Sequence, residues 1–226
     1  MNVLLDLDGT LTNPEQGIVA CIRHALDVLE RTVSADVDLT RYIGPPLADA
    51  FREILATNDR AEIEAAVAAY RARFGTIGLF ENELYAGIPE ALEALTARNA
   101  RLFLATSKPR VYAVRIVEHF GLAKFFTGLY GSELDGTRTD KGELIAHILA
   151  TERLEPSDTV MIGDRKHDVI GALRNRVRPL GALWGFGTLE ELRAAGAAGF
   201  LEKPTDLGRI GLDTESAADV TRTRDA

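Results

Sequence analysis

Sulfur chemistry is nearly missing from this chain: its 226 residues include one cysteine, Cys21. No disulfide can form within the chain, and a reducing compartment is its natural setting. No apolar run approaches the roughly 20 residues that would span a bilayer as a helix. The opening stretch, MNVLLDLDGT, has no basic segment and carries acids inside its apolar part, which is not the pattern of a signal peptide. A cytoplasmic protein without membrane attachment is expected. Positive charge is also short. Lys and Arg number 26 against 34 Asp and Glu, giving a formal net charge of -8 and a pI near 5.1. That balance argues against a nucleic-acid polymer or an anionic membrane as partner, while leaving room for a small anion held by local cations. Internal repeats and low-complexity segments are lacking as well, and nothing in the chain specifies an oligomeric state.

What is present is ordinary in bulk, with 46% hydrophobic and 27% charged residues, as in a typical globular protein. The length suits one core domain with a sizeable insertion. Val3 to Leu7 is a short apolar run stopped by Asp-Gly-Thr, the pattern of a buried strand ending in a glycine turn. From Pro14 to about Phe80 the rhythm is helical. Ile18, Cys21, Ile22, Ala25, Leu26 and Leu29 recur at three- and four-residue steps, and Leu47 to Leu55 and Ala61 to Phe74 repeat the habit. Gly44-Pro45-Pro46 interrupts this block as a rigid turn. Beyond Tyr85 strands alternate with helices. Strands are expected at Arg101–Ala105, Phe125–Leu129, Thr159–Ile162 and Pro179–Trp184, and helices at Gly87–Ala97, Pro109–His119, Lys141–Thr151, His167–Asn175 and Leu189–Ala194. Such alternation predicts an α/β fold with a doubly wound parallel sheet. The first strand belongs to that sheet although a helical block separates it from the rest, so the block reads as an inserted α-helical cap. The expected division is a core of residues 1–13 and 84–210, a cap of 14–83, and a flexible tail of 211–226.

Open parallel sheets bind ligands at the carboxyl ends of their strands. The polar residues at those ends are Asp6 and Asp8 after the first strand, Thr106 and Ser107 after the second, and Asp164 after the fourth. Asp168 lies one helical turn beyond Asp164, and Lys141 opens a helix. Four carboxylates gathered at one sheet edge repel one another. A hard divalent cation resolves the conflict, and Mg2+ suits few carboxylates completed by water and a substrate phosphate. Each residue also has a plainer reading. Asp-Gly is a common turn after a strand, Thr106 or Ser107 can cap the next helix, and Asp168 suits the start of its own helix. Lys108 competes with Lys141 for the role of buried cation. Cys21, Trp184 and Phe186 read as packing residues.

The order of these residues resembles a known family. Asp6-Leu7-Asp8-Gly9-Thr10-Leu11 matches the DxDGT signature of haloacid dehalogenase superfamily phosphatases. Thr106-Ser107, Lys141 in Asp-Lys-Gly-Glu-Leu-Ile, and Gly163-Asp164-Arg165-Lys166-His167-Asp168 match the second, third and fourth motifs, in the right order. The likeness extends over roughly Met1 to Asp206. The helical block and the phrase Tyr42-Ile43-Gly44-Pro45-Pro46-Leu47 are similar to the phosphoglycolate phosphatase-like branch with its C1-type cap, a branch that includes 5′-nucleotidases.

The resemblance implies a HAD-like Rossmannoid core and a magnesium-dependent phosphatase acting on a small phosphomonoester. Asp6 would be the nucleophile and Asp8 the general acid and base. Asp6, Asp8 (through its carbonyl), Asp164 and Asp168 would serve the metal. Gly9, Thr10, Thr106, Ser107 and Lys141 would bind the phosphoryl group, with Thr106 and Lys141 also assisting catalysis. Phosphoglycolate is the branch-based expectation; a 5′-nucleotidase, a sugar phosphatase and a β-phosphoglucomutase-like mutase are alternatives, as is a non-catalytic binder of the same fold. Asp8 disfavours a dehalogenase, and the first lysine, Lys108, lies beyond the cap, which leaves a phosphonatase-type Schiff base no residue.

Overall fold

Alternation of apolar side chains along three short segments decides the architecture. The computed structural model describes residues 1–34 and 36–211. Residues 212–226, which hold all but the first position of the expected tail, lie outside the described residues. In β1 (Asn2–Leu5), Leu4 packs into one hydrophobic cluster while Val3 and Leu5 pack into another. In β4 (Arg101–Pro109), Phe103 and Ala105 join the cluster of Leu4, and Leu102 and Leu104 join that of Val3. In β6 (Thr159–Gly163), Met161 divides from Val160 and Ile162 in the same way. With a side-chain period of two, both faces of these central strands are buried, as a doubly wound parallel sheet requires.

The remaining elements supply the covers. β2 (Thr12–Asn13) and β3 (Glu83–Leu84) pair antiparallel beneath a helical block of α1 (Glu15–Val28), α2 (Leu47–Ile54) and α3 (Arg60–Arg73). Then follow α4 (Ile88–Ala97), α5 (Arg110–His119), β5 (Phe126–Ser132), α6 (Lys141–Glu152), α7 (Lys166–Arg174), β7 (Arg178–Ala182), α8 (Leu189–Ala194) and β8 (Phe200–Leu201). Leu144, Ile145 and Ile148 of α6 and Ala172 of α7 bury against the face of Leu4, whereas Ile88, Leu92 and Leu95 of α4 and Ile116 and Val117 of α5 bury against the face of Val3.

The six-stranded sheet runs in the order β5-β4-β1-β6-β7-β8 and is parallel throughout. β1 is central, and the chain winds outward from it first through β4 to β5 and then through β6 to β8. The crevice at such a reversal is where ligands sit in this architecture. Leu5 is in register with Leu104 and with Ile162, so the residues that follow in β1, β4 and β6 emerge side by side.

Three details differ from the sequence expectation. β4 continues to Pro109, with an irregular register between Thr106 and Pro109, so Thr106 and Ser107 belong to the strand itself. The helical rhythm of α3 passes into a wide turn at Phe74–Gly78. β8 and the β2–β3 pair are two residues long per strand, too short for any alternation to register. The face of α1 agrees with its periodicity, with Ile18, Cys21, Ile22, Ala25 and Leu26 all buried.

Candidate active site

Two adjacent strands, β1 and β6, lead into the acids. Asp6 directly follows β1, with its backbone N–H donating to the Ile162 carbonyl at 3.0 Å. Asp164 directly follows β6, and Asp168 lies in the first turn of α7. One oxygen from each of Asp6, Asp164 and Asp168 can be chosen so that all three lie within 4.8 Å of one another. All three residues are buried, and Asp164 has no exposed surface at all.

Lys141 stands among them. Its ammonium Nζ lies 2.7 Å from Asp168 Oδ1 and 3.0 Å from Asp6 Oδ1, and donates to the Ala105 carbonyl at 2.8 Å. The local sequence fixes its place. Asp140 caps α6 by accepting from the Glu143 N–H at 2.9 Å, which sets Lys141 as the first helical residue. Burial works against the charged ammonium, but Asp168 and Asp6 outweigh it and raise the pKa of Lys141. Burial raises the carboxyl of Asp168 to about 6, against the pull of Lys141. Burial, and then Asp168 and Asp6, raise Asp164 well above the usual carboxylate range.

Asp164 Oδ2 accepts from the Phe186 N–H at 2.8 Å, while its Oδ1 is buried with no partner among the described residues. A buried carboxylate oxygen left bare is costly. Three acids at this spacing with one unsatisfied oxygen fit a hard divalent cation, whose ligands are oxygens. Gly9 keeps the space open. Its φ of +79° suits glycine, and a Cβ there would fall 2.1 Å from Asp164 Oδ2. The Gly9 N–H itself donates to the Thr12 carbonyl at 2.8 Å, so this amide closes the turn after β1. Thr10 is wholly buried, its hydroxyl has no partner among the described residues, and its carbonyl accepts from the Trp184 indole at 3.0 Å.

Asp8 belongs to a second group. Lys108 Nζ lies 2.9 Å from Asp8 Oδ2 and 4.4 Å from the centre of the Phe74 ring. Burial pushes the Asp8 carboxyl above its ordinary value, Lys108 opposes that, and Asp6 adds to it. The two lysines that competed on paper therefore each hold a different aspartate. Thr106 Oγ1 accepts from the Lys108 N–H at 3.2 Å, and the Ser107 hydroxyl donates to the Thr139 carbonyl at 3.1 Å. One cleft is lined by Asp6, Asp8, Thr106, Ser107 and Lys108 together with Ile18, Tyr42, Leu47, Tyr70, Phe74 and Tyr112. Tyr70 stacks on Phe74 with ring centres 5.4 Å apart, and Phe74 meets Tyr112 edge-on at the same distance.

Trp184 and Phe186, read from the sequence as packing residues, also hydrogen-bond to the turn after β1 and to Asp164. Lys108 carried one signal, its place directly after Thr106-Ser107. Trp184 carried none, since its partner is 174 residues away.

Comparison with known proteins agrees with this geometry. The family model described as haloacid dehalogenase-like hydrolase matches residues 3–182. A Pseudomonas aeruginosa protein named 5′-nucleotidase is 48% identical over 193 residues, covering 85% of this chain and 87% of the relative. Tyrosine-protein kinase PtkA of Mycobacterium tuberculosis is 39% identical over 185 residues, which cover 82% of this chain but only 62% of that longer protein. The crystal structure of a predicted phosphatase from Clostridium acetobutylicum superposes with a TM-score of 0.87 at 38% identity, covering 92% of this chain and 96% of the other. With a family model spanning most of the sequence and a relative at nearly half identity, the chain belongs to the haloacid dehalogenase-like hydrolases and is a phosphatase of that family.

Proposed function

We propose that this phosphatase is a magnesium-dependent phosphomonoesterase that works through an aspartyl phosphate on Asp6, with a nucleoside 5′-monophosphate as substrate. The observation that carries the substrate class is the wall of the cleft. Beside the polar and charged Thr106, Ser107, Lys108, Arg71 and Glu133, that wall presents Ile18, Tyr42, Leu47, Tyr70, Phe74 and Tyr112, an apolar and aromatic surface suited to a planar base. Phosphoglycolate, with a two-carbon body ending in a carboxylate, would leave that surface unfilled. The name of the 48% identical relative favours the same reading.

In the first step a carboxylate oxygen of Asp6 attacks phosphorus and the ester P–O bond breaks. Asp8 gives its proton to the departing alkoxide. In the second step Asp8 takes a proton from water, whose oxygen attacks phosphorus and frees inorganic phosphate and Asp6. Burial suits Asp8 to begin as the acid, and Lys108 at 2.9 Å holds it in place. Lys141 fixes the attacking carboxylate and offers positive charge to the phosphoryl oxygens, and Thr106 offers a hydroxyl. Asp6 and Asp164, with the Asp8 carbonyl, would hold Mg2+, which when bound neutralises phosphoryl charge. Asp168 serves through its 2.7 Å contact, by orienting Lys141. Residues 14–83 act as a cap that excludes water from the reacting centre and reads the part of the substrate beyond phosphate.

Phosphate release from a panel of nucleoside monophosphates, sugar phosphates and phosphoglycolate, with Mg2+ or with chelator, tests this reading. Nucleotides are expected to rank first in kcat/KM, and chelator to abolish turnover. A panel led by phosphoglycolate would overturn the substrate class, and undiminished turnover in chelator would overturn the metal.

Stability offers a second check. In the metal-free protein Asp168 sits at about 6 against an ordinary 3.8, and burial raises Asp164 as well. A carboxyl raised on folding contributes stability that is present below 3.8 and is lost as the pH rises through its folded value. Metal-free protein therefore gains stability from these groups on going from pH 7 toward pH 4. Saturating Mg2+ is expected to raise the Tm at pH 7.5 by roughly 5–10 °C, and the increment shrinks by pH 5. Thermal unfolding in Mg2+ and in chelator at both pH values measures it, and a larger increment at pH 5 would count against an acid-bound metal.

A further inference from the structure

Arg165 takes no part in the chemistry above, yet it ties two distant loops together. It directly follows Asp164, and its side chain is only 13% exposed. Its Nε donates to Glu191 Oε1 at 3.0 Å, and its Nη1 donates to the Ile43 carbonyl at 2.5 Å, 122 residues away. Glu191 is itself fixed, since the same oxygen accepts from the Lys166 N–H at 2.8 Å. Gly44 completes the seat. Its φ is +101°, and a Cβ there would stand 3.1 Å from Arg165 Cγ. Tyr42 and Gly44 to Leu47, on either side of Ile43, also line the substrate cleft.

We propose that Arg165 is a positioning residue that latches the Tyr42–Leu47 loop against the core, so that binding of the substrate beyond its phosphoryl group depends on the loop that carries Asp164. The chemistry suits the task. A guanidinium presents several N–H groups in one rigid plane and can serve a carboxylate and a carbonyl together, whereas an ammonium on a flexible stem cannot span both with the same precision. Glu191 sets the plane, the missing side chain at Gly44 admits the arginine stem, and the Ile43 carbonyl takes the remaining hydrogen bond. The inference rests on reading residues 14–83 as a cap that meets the substrate.

Hydrogen–deuterium exchange of peptides covering residues 40–50, in protein without substrate, tests the latch itself. Arg165→Met is expected to speed exchange there about ten-fold, with β1 and β6 peptides unchanged as a control for folding. Gly44→Ala, which disturbs the seat from the other side, should do the same, and Arg165→Lys should fall between. In turnover, Arg165→Met should raise KM for a nucleoside monophosphate roughly ten-fold, while inhibition by inorganic phosphate changes less than about two-fold. Unaltered exchange in Arg165→Met would overturn the latch. An equal weakening of phosphate inhibition would overturn it too, because Arg165 would then act by shaping Asp164. Exchange needs no turnover, so a protein inactive on nucleotides would sink the nucleotidase reading while the latch is judged on its own.

Discussion

Asp6→Asn should lower kcat on every phosphomonoester by on the order of 10⁴-fold or more, with the protein still folded. Asparagine keeps the shape of the side chain but replaces a carboxylate oxygen with an amide nitrogen, and an amide neither attacks phosphorus nor binds a hard cation well. The fold should tolerate it. Asp6 is one of three buried acids that crowd one another, and Lys141 keeps Asp168 at 2.7 Å as its partner. Easing that repulsion offsets the lost contact to Lys141, so the Tm is expected to move by only a few degrees. Steady-state phosphate release measures the first effect. Acid-quenched mass spectrometry gives a separate view of the chemistry, with a phosphoryl adduct on the peptide containing Asp6 in wild type and none in the variant. Activity within about ten-fold of wild type would remove Asp6 from the nucleophile's role.

Lys141→Met carries the largest expected cost to stability. The lysine is buried, and its ammonium serves Asp168, Asp6 and the Ala105 carbonyl at once. Methionine fills much of the volume but leaves two buried carboxylates facing each other without a cation. Breaking one side of a buried charge network costs about 3–5 kcal/mol. Without Lys141 the carboxyl of Asp168 rises above its wild-type position near 6. A carboxyl raised on folding destabilises the protein as it ionises, so the penalty is greatest at neutral pH and shrinks as the pH falls toward 4. Urea unfolding in chelator at pH 7 and pH 5 reads both features. A penalty below about 1 kcal/mol at pH 7, or one that does not shrink at pH 5, would mean that solvent rather than Lys141 stabilises these acids. The variant should also lose most of its activity, since the attacking carboxylate loses its anchor.

The core and the gathering of acids were legible in the sequence because both are written locally. Val3-Leu4-Leu5 and Val160-Met161-Ile162 are short apolar runs followed at once by Asp6 and Gly163-Asp164, so finding the strand also finds the acid. Lys141 was legible because Asp140 caps the helix it opens. Other features were not, for two physical reasons. Phe200–Leu201 becomes a strand only by pairing with Gly181 and Ala182, and two residues have no period of their own. Lys108 with Asp8, Trp184 with Thr10, and Arg165 with Ile43 are pairings across 100 to 174 residues. No local rule fixes where such a side chain ends; the fold decides it.

Trp184 is the chain's single tryptophan, and its indole N–H is bonded to the Thr10 carbonyl, two residues beyond Asp8. Indole emission shifts in colour and yield with its hydrogen bonding and surroundings. Excited at the red edge of indole absorption, where the five tyrosines scarcely absorb, the protein therefore emits from one place, the turn that bears the two aspartates. Metal loading, phosphate binding and movement of that turn can be followed optically in the native sequence, with no attached dye and no second indole to subtract.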